Sequence, residues 1–464
     1  MKAMESMEKL GKGFAGKRVL VMGLGRFGGG VDAARFFAGV GAKVVVTDAA
    51  KEEKLRGSVE ELAGCERIEF HLGGHTHEDF ERADVVIANP AVPPENEFLE
   101  IAQKSGVKIS SQIEVFFELC PAYIIGITGA NGKSTTTALT AHLLRGGLGK
   151  KGCEYREVWL GGNIGNEPLL VNLEKIEARD LVVLELSSFQ LEQLARIGKV
   201  PGAALLTNLT PNHLDRHGTF EAYCAAKENI FRLQRSDGKR PAISVFNGEE
   251  EIASAWYEKY RRDKGRVCLK YAADDVSEKV RPEFKLAGRM NLSNLAGAMA
   301  LAGQFGVTER IVAGCAGNFK SLPHRLELVA DVRGVRWYND SIATTPVSVI
   351  AALEAFEEPK IIIAGGYDKH LPFDELGEAM AKRAKGAVLI GQTAPKIAEA
   401  IAKCAGNGIK VVMAKTLEEA VEKADSMAEA GDVVLLSPAC ASYDMFENFQ
   451  HRGEEFRRLA GRLL

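Results

Sequence analysis

Residues 122–140 read AYIIGITGANGKSTTTALT, an apolar run that stops at a glycine-rich turn and passes into a helical segment over Thr136 to Arg145. A strand, a glycine loop, a Lys-Ser-Thr triplet and a helix in that order form the setting in which proteins cradle phosphates. Successive backbone N–H groups of such a loop converge on an anion, and the start of the helix adds partial positive charge. Here Gly129, Asn131 and Gly132 form the loop, Lys133 reaches the terminal phosphates, and Ser134 or Thr135 offers a hydroxyl to magnesium. The spacing departs from G-x-x-x-x-G-K-[ST], because Ile127 stands five positions before Gly132. An ordinary glycine turn with a surface lysine is the bland alternative, and the coincidence of strand, loop, lysine, hydroxyl and helix outweighs it.

The same alternation of short Val/Ile/Leu runs and helical segments extends along the chain, the pattern of βα units around buried parallel strands, so the fold class is α/β. Strands are expected at 17–23, 43–48 and 84–90, then at 122–129, 180–188, 203–210 and 242–247, and finally at 335–340, 360–366, 386–391, 410–414 and 432–439. Three series agree with the length, since 464 residues at about 150 per domain give roughly three domains. Cys120-Pro121 and Leu322-Pro323-His324 interrupt the pattern, which places the domains at 1–115, 116–321 and 322–464.

Composition excludes several classes of function. Lys plus Arg number 59 and Asp plus Glu 62, a net charge of −3 that gives no chain-wide attraction for nucleic acid or an anionic membrane. The eight cysteines include no C-x-x-C pair, which argues against a structural zinc or a disulfide framework. The first residues lack the apolar core of a signal peptide, and no apolar stretch is long enough to span a bilayer, so a cytoplasmic setting is expected.

Other residues suggest chemistry. Gly23-Leu-Gly25-Arg26-Phe27-Gly28 follows the first strand and Asp48 closes the next, formally a dinucleotide fingerprint that is equally a helix–strand packing turn. Glu185, His213 and Asp215 lie at or just past strand ends, the edge of an open sheet where ligands bind, and a carboxylate there costs desolvation unless paired or metal-bound. His213 is also placed to cap a turn. On residue type alone Lys227 is a solvated helix lysine, Asn291 and Asn294 are helix caps sharing one face, and Arg325 is equally a linker arginine or a phosphate ligand.

Taken together, GITGANGKSTTT (126–137), GGNIG (161–165), LELSSFQLE (184–192), NLTPNHLDRH (208–217), the lysine of AAKENIF (225–231), GRMNLSN (288–294), HRLE (324–327), NDSIATTP (339–346) and LLSPACASYDMFENFQHRG (435–453) occur in the order seen in Mur ligases. The sequence resembles that family over essentially its whole length. The resemblance implies a Rossmann-like N-terminal domain for the UDP substrate, a P-loop-type central ATPase domain and a Rossmann-like C-terminal domain for the amino acid. It implies an ATP-dependent amide ligase of peptidoglycan precursor synthesis, hence of cell-wall biogenesis, cell shape and division. The C-terminal segment points to the branch that adds D-glutamate to UDP-N-acetylmuramoyl-L-alanine through an acyl phosphate. A monomer with two magnesium sites, where manganese can substitute, is expected.

Carried over by motif, the resemblance reassigns Gly25, Arg26, Phe27, Gly28 and Asp48 from NAD to the uridine diphosphate, and gives Asn163, Ser187, Gln190 and His213 to the same substrate. Gly129, Asn131, Gly132, Lys133, Ser134, Thr135, Asn291, Asn294, Arg325 and Asp340 would bind ATP. Ser134 and Glu185 would hold one metal, and His213 and Lys227, the latter as a carbamate made from CO₂, the other. Lys133, His213, Lys227 and Arg325 would be catalytic, and Thr344, Lys369, Ser442 and Phe449 would receive glutamate. Two positions depart from the family pattern. Ile342 replaces a lysine near the amino-acid region, and Met290 replaces a histidine before the adenine-side asparagine. Competing readings are the same chemistry with L-glutamate, another amide ligase of the superfamily such as a folylpolyglutamate synthetase-like or cyanophycin-type enzyme, an NAD-dependent dehydrogenase with an added NTPase, and a catalytically silent nucleotide-binding partner.

Overall fold

The computed structural model describes residues 11–25, 28–164, 168–236, 238, 240–404 and 408–464, and the chain divides into two compact units, 1–272 with 297–312, and 273–296 with 313–464. The first unit holds two parallel sheets. One runs β3-β2-β1-β4-β5, from β1 (Arg18–Met22), β2 (Lys43–Asp48), β3 (Ile68–Leu72), β4 (Val85–Ala88) and β5 (Lys108–Ser110). The other runs β11-β10-β9-β6-β8-β7, from β6 (Tyr123–Thr128), β7 (Val158–Gly162), β8 (Leu181–Glu185), β9 (Ala203–Leu206), β10 (Ala242–Asn247) and β11 (Arg266–Tyr271). Within each sheet successive strands are added on both sides of the first, β1 or β6. The order therefore reverses where the glycine turn after β1 and the loop after β6 emerge, the position at which open α/β sheets take ligands.

One apolar core is shared by these two sheets. It includes Val19, Phe36 and Phe116 beside Leu169, Val182, Leu206 and Phe246. The helix Gln112–Leu119 buries Ile113, Phe116 and Phe117, and starts with the Ser111 hydroxyl accepting from the Glu114 N–H. That helix contains the sequence boundary drawn at 115.

The second unit is built on one sheet in the order β12-β13-β17-β14-β15-β16, from β12 (Glu327–Val332), β13 (Val335–Asn339), β14 (Lys360–Gly365), β15 (Gly386–Ile390), β16 (Lys410–Met413) and β17 (Val433–Leu436). All pairings are parallel except the β12–β13 hairpin, which departs from the all-parallel expectation. Alternation along β14 sends Ile361 and Ile363 to a core with Trp337 and Phe456, and Ile362 and Ala364 to a second core with Leu376 and Leu389. Among the described residues no helix is long and apolar enough to cross a membrane.

Candidate active site

The turn after β6 is held by side chains from beyond β9. The Asn208 carboxamide accepts the Asn131 N–H at 2.8 Å and donates to the Asn131 carbonyl at 3.0 Å, and the Thr207 hydroxyl donates to that same carbonyl at 2.6 Å. Gly129 has φ +149, and a Cβ there would stand 1.9 Å from the Thr207 hydroxyl, so only glycine permits this closeness. Gly132, at φ 76, caps the helix Lys133–Gly147. Lys133 donates to the Ala130 carbonyl at 2.7 Å, which lays its ammonium over the loop. Ser134 and Thr135 are buried in the first turn.

Glu185 ends β8 and is 2% exposed. Its two oxygens accept from the Ser134 hydroxyl at 2.5 Å and the Asn163 carboxamide at 3.1 Å, so three of the sequence candidates meet at one carboxylate. Backbone packing enforces the meeting. Gly162, at φ 86, lets β7 lie against β8 where a Cβ would reach 2.2 Å from the Glu185 carbonyl.

Lys227 is 2% exposed on the helix Phe220–Arg232, not the solvated lysine that residue type suggests. It donates to the Thr128 hydroxyl at 3.3 Å and stands 4.8 Å from the centre of the Tyr223 ring. Burial, then the charge of Lys133, drives its pKa well below the lysine range, with Glu185 opposing. His213 sits at φ 53 before the short helix Leu214–His217 and makes no side-chain cap bond there. Partial burial and the cations Lys227 and Lys133 lower its pKa, which favours the neutral imidazole that ligates metals.

In the first sheet the Asp48 carboxylate accepts the N–H groups of Gly25 at 3.1 Å and Ala50 at 2.8 Å, bracing the glycine turn. Gly28, at φ 79, starts the helix Gly29–Gly39, and Arg26 and Phe27 lie outside the described residues. Ser187 and Gln190 form a reciprocal capping box on the helix Ser188–Arg196.

In the second unit Asn291 and Asn294 are buried in the helix Arg289–Gly303 and are not its caps. Asn291 donates to the Ala287 carbonyl at 2.7 Å, and Asn294 donates to the Asn291 carboxamide oxygen at 3.3 Å. Asp340 accepts from the Ser437 hydroxyl at 2.8 Å and the Leu326 N–H at 3.2 Å, and burial pushes its pKa up to about 7. Arg325 is half-buried, Thr344 half-buried, Lys369 exposed and Ser442 2% exposed. Phe449 opens the helix Phe449–Gly461 with its ring 6.0 Å from that of His324.

Residues 17–111 match the family model described as Mur ligase MurD-like, N-terminal domain, residues 127–283 the Mur ligase middle domain, and residues 324–440 the Mur ligase, glutamate ligase domain. The UDP-N-acetylmuramoylalanine--D-glutamate ligase of Roseiflexus is 42% identical, over 96% of this chain and 98% of its own. The chain belongs to the Mur ligase family. The enzyme of the same name from Acetivibrio thermocellus is 37% identical, over 90% of this chain and 91% of its own. In fold this Mur ligase is similar to a pseudomurein peptide ligase type C from Methanothermus fervidus, with TM-score 0.56 and 17% identity, covering 97% of this chain and 100% of that one.

The Mur ligase sequence concealed some of the residues that build these sites. Thr128 and Asn208 act across strands, and Arg452 acts from the C-terminal helix. Arg452 is 1% exposed and donates to the Ser341 hydroxyl at 3.0 Å, the Ser341 carbonyl at 2.8 Å and the Cys440 carbonyl at 3.1 Å. Burial lowers its pKa to about 10, and among the described residues no carboxylate pairs with it. It ties the segment carrying Ile342 and Thr344 to the one carrying Ser442. If Ser442 holds a glutamate carboxylate, as the resemblance implies, Ser442→Ala is expected to raise the KM for glutamate roughly 10-fold or more, as loss of a hydrogen bond to a charged group does, with the KM for the UDP substrate unchanged. Steady-state kinetics with each substrate varied in turn check this, and equal rises for both would remove Ser442 from the glutamate site.

Proposed function

We propose that this enzyme, an ATP-dependent amide ligase, joins D-glutamate to UDP-N-acetylmuramoyl-L-alanine in peptidoglycan precursor synthesis, releasing ADP and phosphate. The meeting of Ser134, Asn163 and Glu185 beside the Lys133 loop carries the reading, because it places a phosphate cradle against a buried carboxylate with hydroxyl and amide partners. Relatives bearing that enzyme's name align over nearly the whole chain.

The donors fit a hard divalent cation. A buried carboxylate and a hydroxyl at the head of a phosphate loop are oxygen ligands of the kind magnesium takes with substrate phosphates, and manganese accepts the same set. Among the described residues no three His, Cys, Asp or Glu side chains cluster, and substrate phosphate oxygens would supply further ligands. We assign one metal to Ser134 and Glu185 and the second to His213 and a carbamate on Lys227. When bound, the metals neutralise phosphate charge.

The remaining chemistry follows from charge. The substrate carboxylate and the γ-phosphate are both anions, and the Lys133 ammonium offsets their repulsion. Phosphoryl transfer gives an acyl phosphate and ADP, and the glutamate amine then attacks that carbonyl, expelling phosphate. Roles for Asn291, Asn294, Arg325 and Asp340 toward ATP, for Thr344, Lys369, Ser442 and Phe449 toward glutamate, and for Gly25 to Gly28, Asp48, Asn163, Ser187 and Gln190 toward the UDP substrate belong to the same proposal. So do domain limits near 115 and 321, a monomeric state and a cytoplasmic location.

Phosphate release from ATP and magnesium with UDP-N-acetylmuramoyl-L-alanine, run with D- and L-glutamate and checked by product mass, tests the reading. Release dependent on D-glutamate is expected, with Ile342 tolerated. Preference for L-glutamate would keep the ligase and overturn its amino acid. Silence with both would overturn the acceptor.

A further inference from the structure

Asp32 lies in the first turn of the helix Gly29–Gly39, the helix that opens at the glycine turn after β1. Its carboxylate is 4% exposed and, among the described residues, pairs with no cation. Its partners lie far away in the sequence. One oxygen accepts the N–H groups of Leu169 at 2.9 Å and Leu170 at 2.8 Å and the Gln112 carboxamide at 2.5 Å, and the other accepts the N–H of Val171 at 3.1 Å. Three consecutive backbone N–H groups turned onto one anion form a nest, an arrangement that here binds a protein carboxylate. Hydrogen bonds to an ionised acceptor are the stronger kind, so this is a firm joint between two sheets.

The joint has a direction. On one side, Gly30 seats the helix against the preceding turn so closely that a Cβ would fall 2.4 Å from the Leu24 carbonyl. Displacing Asp32 therefore displaces the turn at Gly25 and Gly28. On the other side, residues 169–171 follow Asn163 closely in the chain, and Asn163 meets Glu185, which meets Ser134. Hydrogen bonds thus tie the helix after β1 to residues 169–171, and Asn163 in turn bonds to the carboxylate that Ser134 also meets.

We infer that Asp32 is a positioning residue that fixes the distance between the diphosphate end and the reacting carboxyl end of the nucleotide-linked substrate. The inference rests on the ligase reading above. A substrate gripped at both ends is sensitive to the separation of the grips. Its affinity contains an effective-concentration factor set by that geometry, and misplacement of a reacting group by about 1 Å costs on the order of 10²-fold in rate. A ligand that occupies only one grip carries neither factor.

Asp32→Asn keeps the shape and removes the charge that the nest holds. With purified full-length enzyme, UDP alone should bind Asp32→Asn within about twofold of the parent, while UDP-N-acetylmuramoyl-L-alanine binds roughly 10-fold more weakly and kcat falls roughly 10- to 100-fold. Gln112→Met, which removes one of four donors and leaves the nest, should show the same split at a few-fold. It carries the test if Asp32→Asn does not fold, as judged by its thermal unfolding. Equal weakening of UDP and the full substrate, or no weakening of either, would overturn the inference and leave Asp32 a fold contact only. A parent enzyme that binds UDP but neither binds nor turns over UDP-N-acetylmuramoyl-L-alanine would instead overturn the ligase reading.

Discussion

Lys227→Ala should lower kcat by at least the roughly 10²–10³-fold that loss of one transition-state electrostatic contact costs, and acetate or propionate should restore part of it. The environment of Lys227 gives the reason. A lysine 2% exposed, facing a hydroxyl and a tyrosine ring and repelled by Lys133, is driven toward its neutral form. A neutral amine adds to CO₂, forming the N–C bond of a carbamate and releasing one proton. On the proposal above, the product would be an anion where the sequence shows a cation, and its oxygens would serve the metal assigned to His213. A small carboxylate entering the space left by Lys227→Ala supplies those oxygens again. Lys227→Arg is the control, since it retains a cation and cannot carry a carbamate. It should be as inactive as Lys227→Ala. Full activity of Lys227→Arg, or rescue of Lys227→Ala by alkylamines and not by carboxylates, would mean that the ammonium is the working form, and full activity of Lys227→Ala would remove Lys227 from the reaction.

Strands buried on both faces were legible, and strands at sheet edges mostly were not. β10 (AISVFN) is buried at every residue, and its unbroken apolar run declares it. β3 (IEFHL), β5 (KIS), β7 (VWLGG), β11 (RVCLKY) and β12 (ELVADV) escaped the sequence reading, and each is an edge strand or one next to nothing on one side. An edge strand borrows its hydrogen bonds from one neighbour and leaves half of its side chains to solvent, so it carries charges and glycines that blur the pattern. β16 (KVVM), also at an edge, was found because its short apolar run survives. The antiparallel hairpin of β12 and β13 turns at Arg333-Gly334, at φ 53 and φ 79, a turn that a search for βα units passes over.

The site divides along the same physical line. The loop from Gly129 to Ser134 is contiguous, so its chemistry can be read locally. Glu185 was found because a carboxylate ending an apolar strand is anomalous. Lys227 was misjudged on residue type because nothing within its helix shows that Thr128, nearly a hundred residues earlier, lies against it. Asp32 and Arg452 are hidden in the same way, their partners being mostly backbone groups, 137–139 residues away for Asp32 and 12 and 111 residues away for Arg452. Backbone N–H and carbonyl groups exist at almost every residue, so sequence cannot mark the ones a fold will use.

Lys133→Ala should reduce kcat by roughly 10²–10³-fold, about 2.7–4 kcal/mol, while leaving the affinity for D-glutamate unchanged. The ammonium lies across the loop, since it donates to the Ala130 carbonyl. The loop is braced by Thr207 and Asn208 independently of Lys133, so the substitution removes a charge without unmaking the cradle. A second consequence separates this role from simple anion binding. Lys133 is also one of the charges that depress the pKa values of Lys227 and His213, so its removal should raise both. The variant should therefore carry less carbamate at neutral pH, and its residual activity should rise with added bicarbonate more steeply than that of the parent enzyme. Measurement of kcat against bicarbonate at fixed pH distinguishes the cases. Turnover near that of the parent would remove Lys133 from the phosphate site. A deep loss with no bicarbonate dependence would confine Lys133 to the phosphates and uncouple it from Lys227.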